Sequence, residues 1–234
     1  STPCGTLFPY TTLFRSVHIS STDRPCESGG ATPRRMDEAS MQEVVTLFTD
    51  AARRVREAGF DALELQLGHG YLLAQFLSPL VNDRDDEFGG DLQGRMRFPL
   101  QVVDAVREAV DLPLFVRVSG AEMVDGGIQI EETVALALAL AEREVEAVHV
   151  SAGTVCSTPP WYFQHMFVPE GRTWEMAEKV RDGAGCRVVV VGRVNDLEKA
   201  SSLRDRFEGQ YLAVGRALVA DPDFVGKVLG DVQG

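Results

Sequence analysis

Between residues 61 and 229 the chain alternates five short apolar runs with helix-patterned segments, and this alternation limits the fold more than any other feature. The runs are DALELQL (61–67), PLFVRVS (113–119), EAVHVSAG (146–153), RVVVVG (187–192) and YLAVG (211–215). They read as largely continuous apolar runs, the pattern of strands buried on both faces. Between them lie YLLAQFL (71–77), RMRFPLQVVDAVREAV (95–110), ETVALALALAEREV (132–145), TWEMAEKVRDG (173–183) and LEKASSLRDRF (197–207), each read as a helix. Helical crossovers between consecutive strands require a parallel sheet. The fold class is therefore α/β, either a doubly wound open sheet or part of a (β/α)8 barrel. No GxGxxG follows any strand, which disfavours a dinucleotide-binding fold.

A further helix precedes the first strand. Met41, Val44, Val45, Phe48, Ala51, Ala52 and Val55 recur at helical spacing, which predicts a helix over 38–58 with Gly59 as its C′ stop. Residues 17–37 are rich in Gly, Pro and Ser and are expected to be irregular. At the other end, DPDFVGKVL predicts a last helix with Asp221 as N-cap and Pro222 at its first position.

Charge and cysteine use narrow the function classes. A net charge of −12 over 234 residues argues against nucleic-acid binding and against a polybasic lipid anchor. No apolar run approaches a bilayer span. Cys4, Cys26, Cys156 and Cys186 are scattered without a CxxC pair, so no cysteine metal site is expected, and four separate thiols point to the reducing cytoplasm.

Polar residues collect where strands end. Gln66, His69 and Tyr71 follow the first run. Arg117 and Ser119 close the second, and Ser151, Ala152 and Gly153 the third. Gly192-Arg193 and Gly215-Arg216 close the last two, 23 residues apart. In a barrel this rim is where active sites are built, and the last two loops often hold phosphate. The Gly-Arg pairs fit a phosphate site equally with two turns carrying solvent-facing arginines. Arg117, inside an apolar strand, needs compensation: a salt bridge to a carboxylate such as Glu64, or a ligand that gains negative charge. Gln66, His69 and Tyr71 supply carbonyl-directed hydrogen-bond donors and a phenolic proton, although a satisfied polar histidine and an ordinary packed tyrosine would read the same.

The stretch HGYLLAQFLSP, followed by N-x-R-x-D-x-F-G-G (82–90) and R-x-R-F (95–98), resembles the old yellow enzyme family of FMN-dependent NAD(P)H oxidoreductases. The resemblance runs on through VRVS, VVVVGRV and YLAVGRALVADPDF. PPWYFQHM (159–166) resembles more weakly the branch that contains 2,4-dienoyl-CoA reductase. The family resemblance implies a (β/α)8 TIM barrel with FMN at its C-terminal rim, reduced by NAD(P)H and passing hydride to an activated alkene. It implies Tyr71 as the proton donor, Gln66 and His69 as the pair on the substrate carbonyl, and Arg117 beside flavin N1 and O2. It implies Gly192, Arg193, Gly215 and Arg216 around the FMN phosphate. Many members carry His where this chain has Gln66, and Gln cannot become cationic, so carbonyl activation is expected to differ. N-x-R-x-D-x-F-G-G is expected to be structural, with Arg84 paired to Asp86. An iron–sulfur centre is expected only in a longer parent protein, since this chain has no clustered cysteines.

By the same resemblance, the strand carrying Gln66 is the fourth of eight. The chain is then expected to be a partial barrel of roughly the last five βα units which, without the first three, binds FMN weakly or is inactive. TLFPYTTLFRS (6–16) resembles the translation of a sequencing-library adapter, which marks residues 1–16 as an artefact segment and 17–234 as an incomplete FMN-binding domain. Two alternatives remain: a non-catalytic half-barrel that self-associates or binds a partner through open sheet edges, and another FMN barrel of the dihydrouridine synthase kind. The expected substrate is a small unsaturated carbonyl or dienoyl compound, with no nucleic-acid or membrane partner, and a homo-oligomer is among the expected assemblies.

Overall fold

The computed structural model describes residues 17–26, 29–156 and 169–231. The adapter-like segment and PPWYFQHM lie outside the described residues. Two short strands, β1 (Ile19–Ser20) and β2 (Arg34–Arg35), pair in parallel within the stretch expected to be irregular. Helix α1 (Glu38–Glu57) follows, started by the Asp37 carboxylate, which accepts the Ser40 N–H at 2.9 Å, and closed by Gly59 at φ +79°.

The main unit then runs β3 (Leu63–Gln66), α2 (Leu72–Leu77), α3 (Leu92–Ala109), β4 (Leu114–Ser119), α4 (Ile130–Ala141), β5 (Ala147–Ser151), α5 (Arg172–Ala184), β6 (Val188–Val191), α6 (Leu197–Arg206) and β7 (Tyr211–Ala213). Strands β3 to β7 form one parallel sheet in sequential order, β3-β4-β5-β6-β7. This is the order of consecutive βα units in a barrel wall rather than of a doubly wound sheet, whose order reverses at a switch point. Leu65, Val116, Val118, Val148, Val150, Val188 and Val190 point to one buried face, with the helices outside it. Glu64, Gln66, Arg117, Ser119, His149 and Ser151 occupy the alternate positions, on the inner face. A cleft of about 540 Å³ opens beside β7, between α6 and the C-terminal helix, lined by Phe207, Tyr211, Leu212 and Phe224. It lies along the sheet edge and away from His69 and Tyr71.

Three expectations are corrected. Helix α3 begins at Leu92 rather than 95, because the Asp91 carboxylate caps it by accepting the Gly94 N–H at 2.9 Å. The last helical stretch is two helices, α7 (Arg216–Ala220) and α8 (Phe224–Leu229), and Asp223, not Asp221, is the N-cap of the second. Asp221 closes α7, and its carboxylate takes the Asp223 N–H and the Lys227 ammonium. The four cysteines are not four separate thiols. Cys26 and Cys156 form a disulfide across 130 residues, with Cα atoms 5.6 Å apart, while Cys186 is free. Scattered spacing hid a pair that only the fold brings together. Among the described residues, no helix is long and apolar enough to cross a membrane.

Candidate functional site

The site is built on the turn Gly68-His69-Gly70, which carries the chain from β3 into α2. Side chains are excluded at both glycines. A Cβ at Gly68 would lie 2.8 Å from the Ser119 nitrogen, and one at Gly70, where φ is +78°, would lie 2.4 Å from Thr154 Oγ1. The turn is therefore pressed against the ends of both β4 and β5. His69 itself sits at φ +64°, and its backbone pairs with Thr154 in an isolated bridge.

His69 is buried, at 5 % exposure, and its backbone N–H donates to Ser119 Oγ at 2.9 Å, which in turn donates to the Gly153 carbonyl at 2.8 Å. Gln66 Nε2 donates to His69 Nδ1 at 3.4 Å, which leaves the ring proton on Nε2, 2.8 Å from Ser151 Oγ. Burial, then the nearby Arg117 and His149, push the His69 pKa down to about 4, with Glu64 opposing. The ring is neutral at physiological pH, and both nitrogens are engaged by protein groups. Gln66 Oε1 accepts the Gly68 N–H at 3.2 Å, so the orientation of the amide is fixed and its second N–H is not used by these bonds. Tyr71 is the N-cap residue of α2, half exposed, with its ring edge-on to His69 at 6.5 Å.

Arg117 lies beside Gln66 in the β3–β4 register and beside His149 in the β4–β5 register. It does not pair with Glu64. Glu64 Oε2 instead accepts from His149 Nδ1 at 2.8 Å, across β4. Side chains from alternate strands meeting in one layer is the interior arrangement of a (β/α)8 barrel. The consequence is an arginine with a buried Nε that has no hydrogen-bond partner among the described residues.

The two Gly-Arg pairs lie at the ends of neighbouring strands, β6 and β7. Gly192, at φ +113°, gives its carbonyl to Trp174 Nε1 at 2.9 Å, and Arg193, at φ +51°, ion-pairs with Glu170 at 3.0 Å. Gly215 is the N-cap residue of α7, and Arg216 is exposed. The structure thus gathers Gln66, His69, Tyr71 and Arg117 around one turn, and places the Gly-Arg pairs on the same rim farther along the sheet.

The 82–90 segment is a structural clamp. Asn82 Nδ2 donates to the Phe76 and Phe88 carbonyls at 2.7 and 2.8 Å. Arg84 pairs with Asp86, donates to the Met36 carbonyl at 2.8 Å, and lies against the rings of Phe76 and Phe88. Gly89 passes so close to Arg84 that a Cβ would stand 2.2 Å from its carbonyl oxygen.

Sequence reasoning noted Ser119 and Ser151 only as strand ends and considered Glu64 only as a partner for Arg117. Their period-two placement on the inner face was the available signal, but which inner-face groups meet depends on register.

The family described as "NADH:flavin oxidoreductase / NADH oxidase family" matches residues 17–233. Among curated relatives, an NADH oxidase from Thermoanaerobacter brockii is 38 % identical over 211 residues, covering 89 % of this chain and 32 % of that protein. An NADPH dehydrogenase from Bacillus subtilis (strain 168) is 36 % identical over 194 residues, covering 83 % of this chain and 56 % of that protein. The solved structure of morphinone reductase in complex with tetrahydroNAD superposes with a TM-score of 0.70 at 25 % identity, covering 92 % of this chain and 60 % of that one. A 2-naphthoyl-CoA reductase complex shares the fold with a TM-score of 0.79 at 23 % identity, covering 91 % of this chain and 33 % of that one. The chain therefore spans about a third to three fifths of the length of these relatives.

Proposed function

Because this chain belongs to the NADH:flavin oxidoreductase / NADH oxidase family, we propose that it carries the substrate-facing rim of an FMN-dependent oxidoreductase acting on activated alkenes. The observation that carries this reading is Arg117: a half-buried guanidinium on the inner face of the sheet, beside Gln66, with a buried Nε and, among the described residues, no carboxylate on it. An uncompensated cation in such a place fits a group that gains negative charge when reduced. When bound, FMN supplies a carrier that takes hydride from NAD(P)H and delivers it to the β-carbon of an α,β-unsaturated carbonyl compound.

The chain's own residues supply the remainder. Arg117 holds the electron-accepting edge of the flavin. Gln66 offers its second amide N–H to the substrate carbonyl. His69 can join it only by exchanging its bond to Ser151, and as a neutral ring it acts as a hydrogen-bond donor, not as a cation. Tyr71, exposed at the head of α2, gives the phenolic proton to the α-carbon. Gly192, Arg193, Gly215 and Arg216 receive the FMN phosphate, with Arg193 exchanging Glu170 for it.

The test is titration of FMN against the purified chain, followed by flavin fluorescence. Binding by the native chain and at least tenfold weaker binding by Arg117→Leu are expected. Equal affinities would sink the reading.

A further inference from the structure

Glu64 is the only acidic residue in the five strands of the main sheet. It faces two basic partners on the inner face. Its register partner on β4 is Phe115, two residues before Arg117, so the diagonal to Arg117 spans about 8 Å between Cα atoms from strand spacing and rise. That is within the combined reach of a glutamate and an arginine. His149 stands beside Arg117 on the next strand. In the structure the carboxylate goes to His149 Nδ1 at 2.8 Å, and Arg117 Nε has no partner among the described residues.

A carboxylate can only accept, so His149 must carry its proton on Nδ1. His149 is 8 % exposed and its other nitrogen, Nε2, is buried and unpartnered among the described residues. Among the described residues the ring therefore gains one hydrogen bond from its place in the sheet, the one to Glu64. Burying a polar ring for a single bond has little value to the fold, since an apolar residue of similar size would pack there without an unsatisfied nitrogen. What the bond does accomplish is to occupy the carboxylate that would otherwise neutralise Arg117.

We infer that His149 is a positioning residue that holds Glu64 away from Arg117 and so keeps the guanidinium open to an anionic ligand. The inference rests on the flavin reading for the ligand's identity, but its first clause concerns only three side chains of this chain. Replacing His149 with Val releases Glu64, which then swings along the diagonal onto Arg117. Replacing it with Gln keeps an N–H for Glu64. Removing the charge of Glu64 makes His149 dispensable.

The experiment has two arms. In the first, without FMN, the Arg117 Nε–H resonance is followed by 15N NMR, assigned by its loss in Arg117→Lys. His149→Val is expected to shift it to that of an ion-paired guanidinium. The shift should be absent in His149→Gln and in the double variant Glu64→Gln/His149→Val. An unmoved resonance in His149→Val overturns the inference whether or not the chain takes up flavin. In the second arm, FMN is titrated in its oxidised and reduced forms. His149→Val is expected to weaken the reduced form about tenfold more than the oxidised form, equivalent to a fall of about 30 mV in the two-electron midpoint potential. Glu64→Gln/His149→Val should restore the native ratio. A double variant as impaired as the single would show that His149 acts through packing alone and would overturn the proposal. Absence of FMN binding by the native chain counts against the flavin reading, and the first arm still decides the inference.

Discussion

Two arginines, Arg84 buried against Phe76 and Phe88 and Arg117 half-buried on the inner face of the sheet, are treated in opposite ways. Arg84 is 8 % exposed and fully provided for: Asp86 forks onto its guanidinium, the Met36 carbonyl takes a third bond, and Phe76 and Phe88 flank it. Among the described residues Arg117 has no carboxylate partner and its Nε has no hydrogen-bond partner, while Glu64 is tied to His149. Paired charge accompanies the rigid 82–90 loop, whereas on the proposed reading Arg117 takes its partner from a ligand. The same division separates His69, wired on both nitrogens and through its backbone, from Tyr71 next to it, which is half exposed at a helix start.

The sharpest way to break the comparison is to turn Arg84 into a second Arg117. Asp86→Ala leaves a buried guanidinium without its carboxylate and is expected to cost about 3–5 kcal/mol in urea unfolding. A loss below about 1 kcal/mol would mean that pairing is not what lets Arg84 be buried. Acid should act next most strongly, through His69. Its folded pKa of about 4 lies below the ordinary 6.5, so the unfolded chain binds the proton more tightly. The stability this contributes is complete above pH 6.5 and is lost as pH falls toward 4, about 3 kcal/mol in all. His69→Gln should flatten that part of the pH–stability curve. If the slope persists, another group is responsible.

Smaller in stability is Arg117→Leu, which removes an uncompensated charge. It should leave the chain as stable as the native one or about 1 kcal/mol more stable while FMN affinity falls, the trade expected of a functional residue. A destabilised Arg117→Leu would place Arg117 with Arg84 as a structural arginine. The smallest stability effect is expected for Tyr71→Phe, within about 0.5 kcal/mol by thermal unfolding. In whatever turnover of an α,β-unsaturated ketone with NADPH the FMN-loaded chain supports, the same variant should lose about 100-fold or more in product formation. Unchanged turnover would remove Tyr71 from the role of proton donor.

Much of this was legible in the residues. The apolar runs and intervening helical patterns gave strands and helices close to their observed limits, because the strand positions packed under the helices stay apolar and the few polar ones, Glu64, Gln66, Arg117 and His149, fall on the inner face. Gly68 and Gly70 stood on either side of His69, and the structure shows why: backbone and Thr154 leave no room for a side chain there. The Arg84–Asp86 pair was readable because its partners are two residues apart. The Cys26–Cys156 bond was not, since 130 residues separate them and nothing local ties one to the other. The start of α8 was missed for a related reason. A proline after Asp221 reads as a helix start, but α7 already ends on that aspartate, and the next helix must begin two residues later.

The sequence by itself determined the order of βα units, the parallel sheet and which residues stand at strand ends, since these follow from local periodicity and from backbone hydrogen bonding. Only the tertiary structure decided that Glu64 binds His149 and not Arg117, and that Ser119 and Ser151 hold His69. Those choices turn on register and on the layering of alternate strands, which bring together side chains 50 to 85 residues apart. The alternation shows which side chains enter the interior, and the sheet then determines which of them meet.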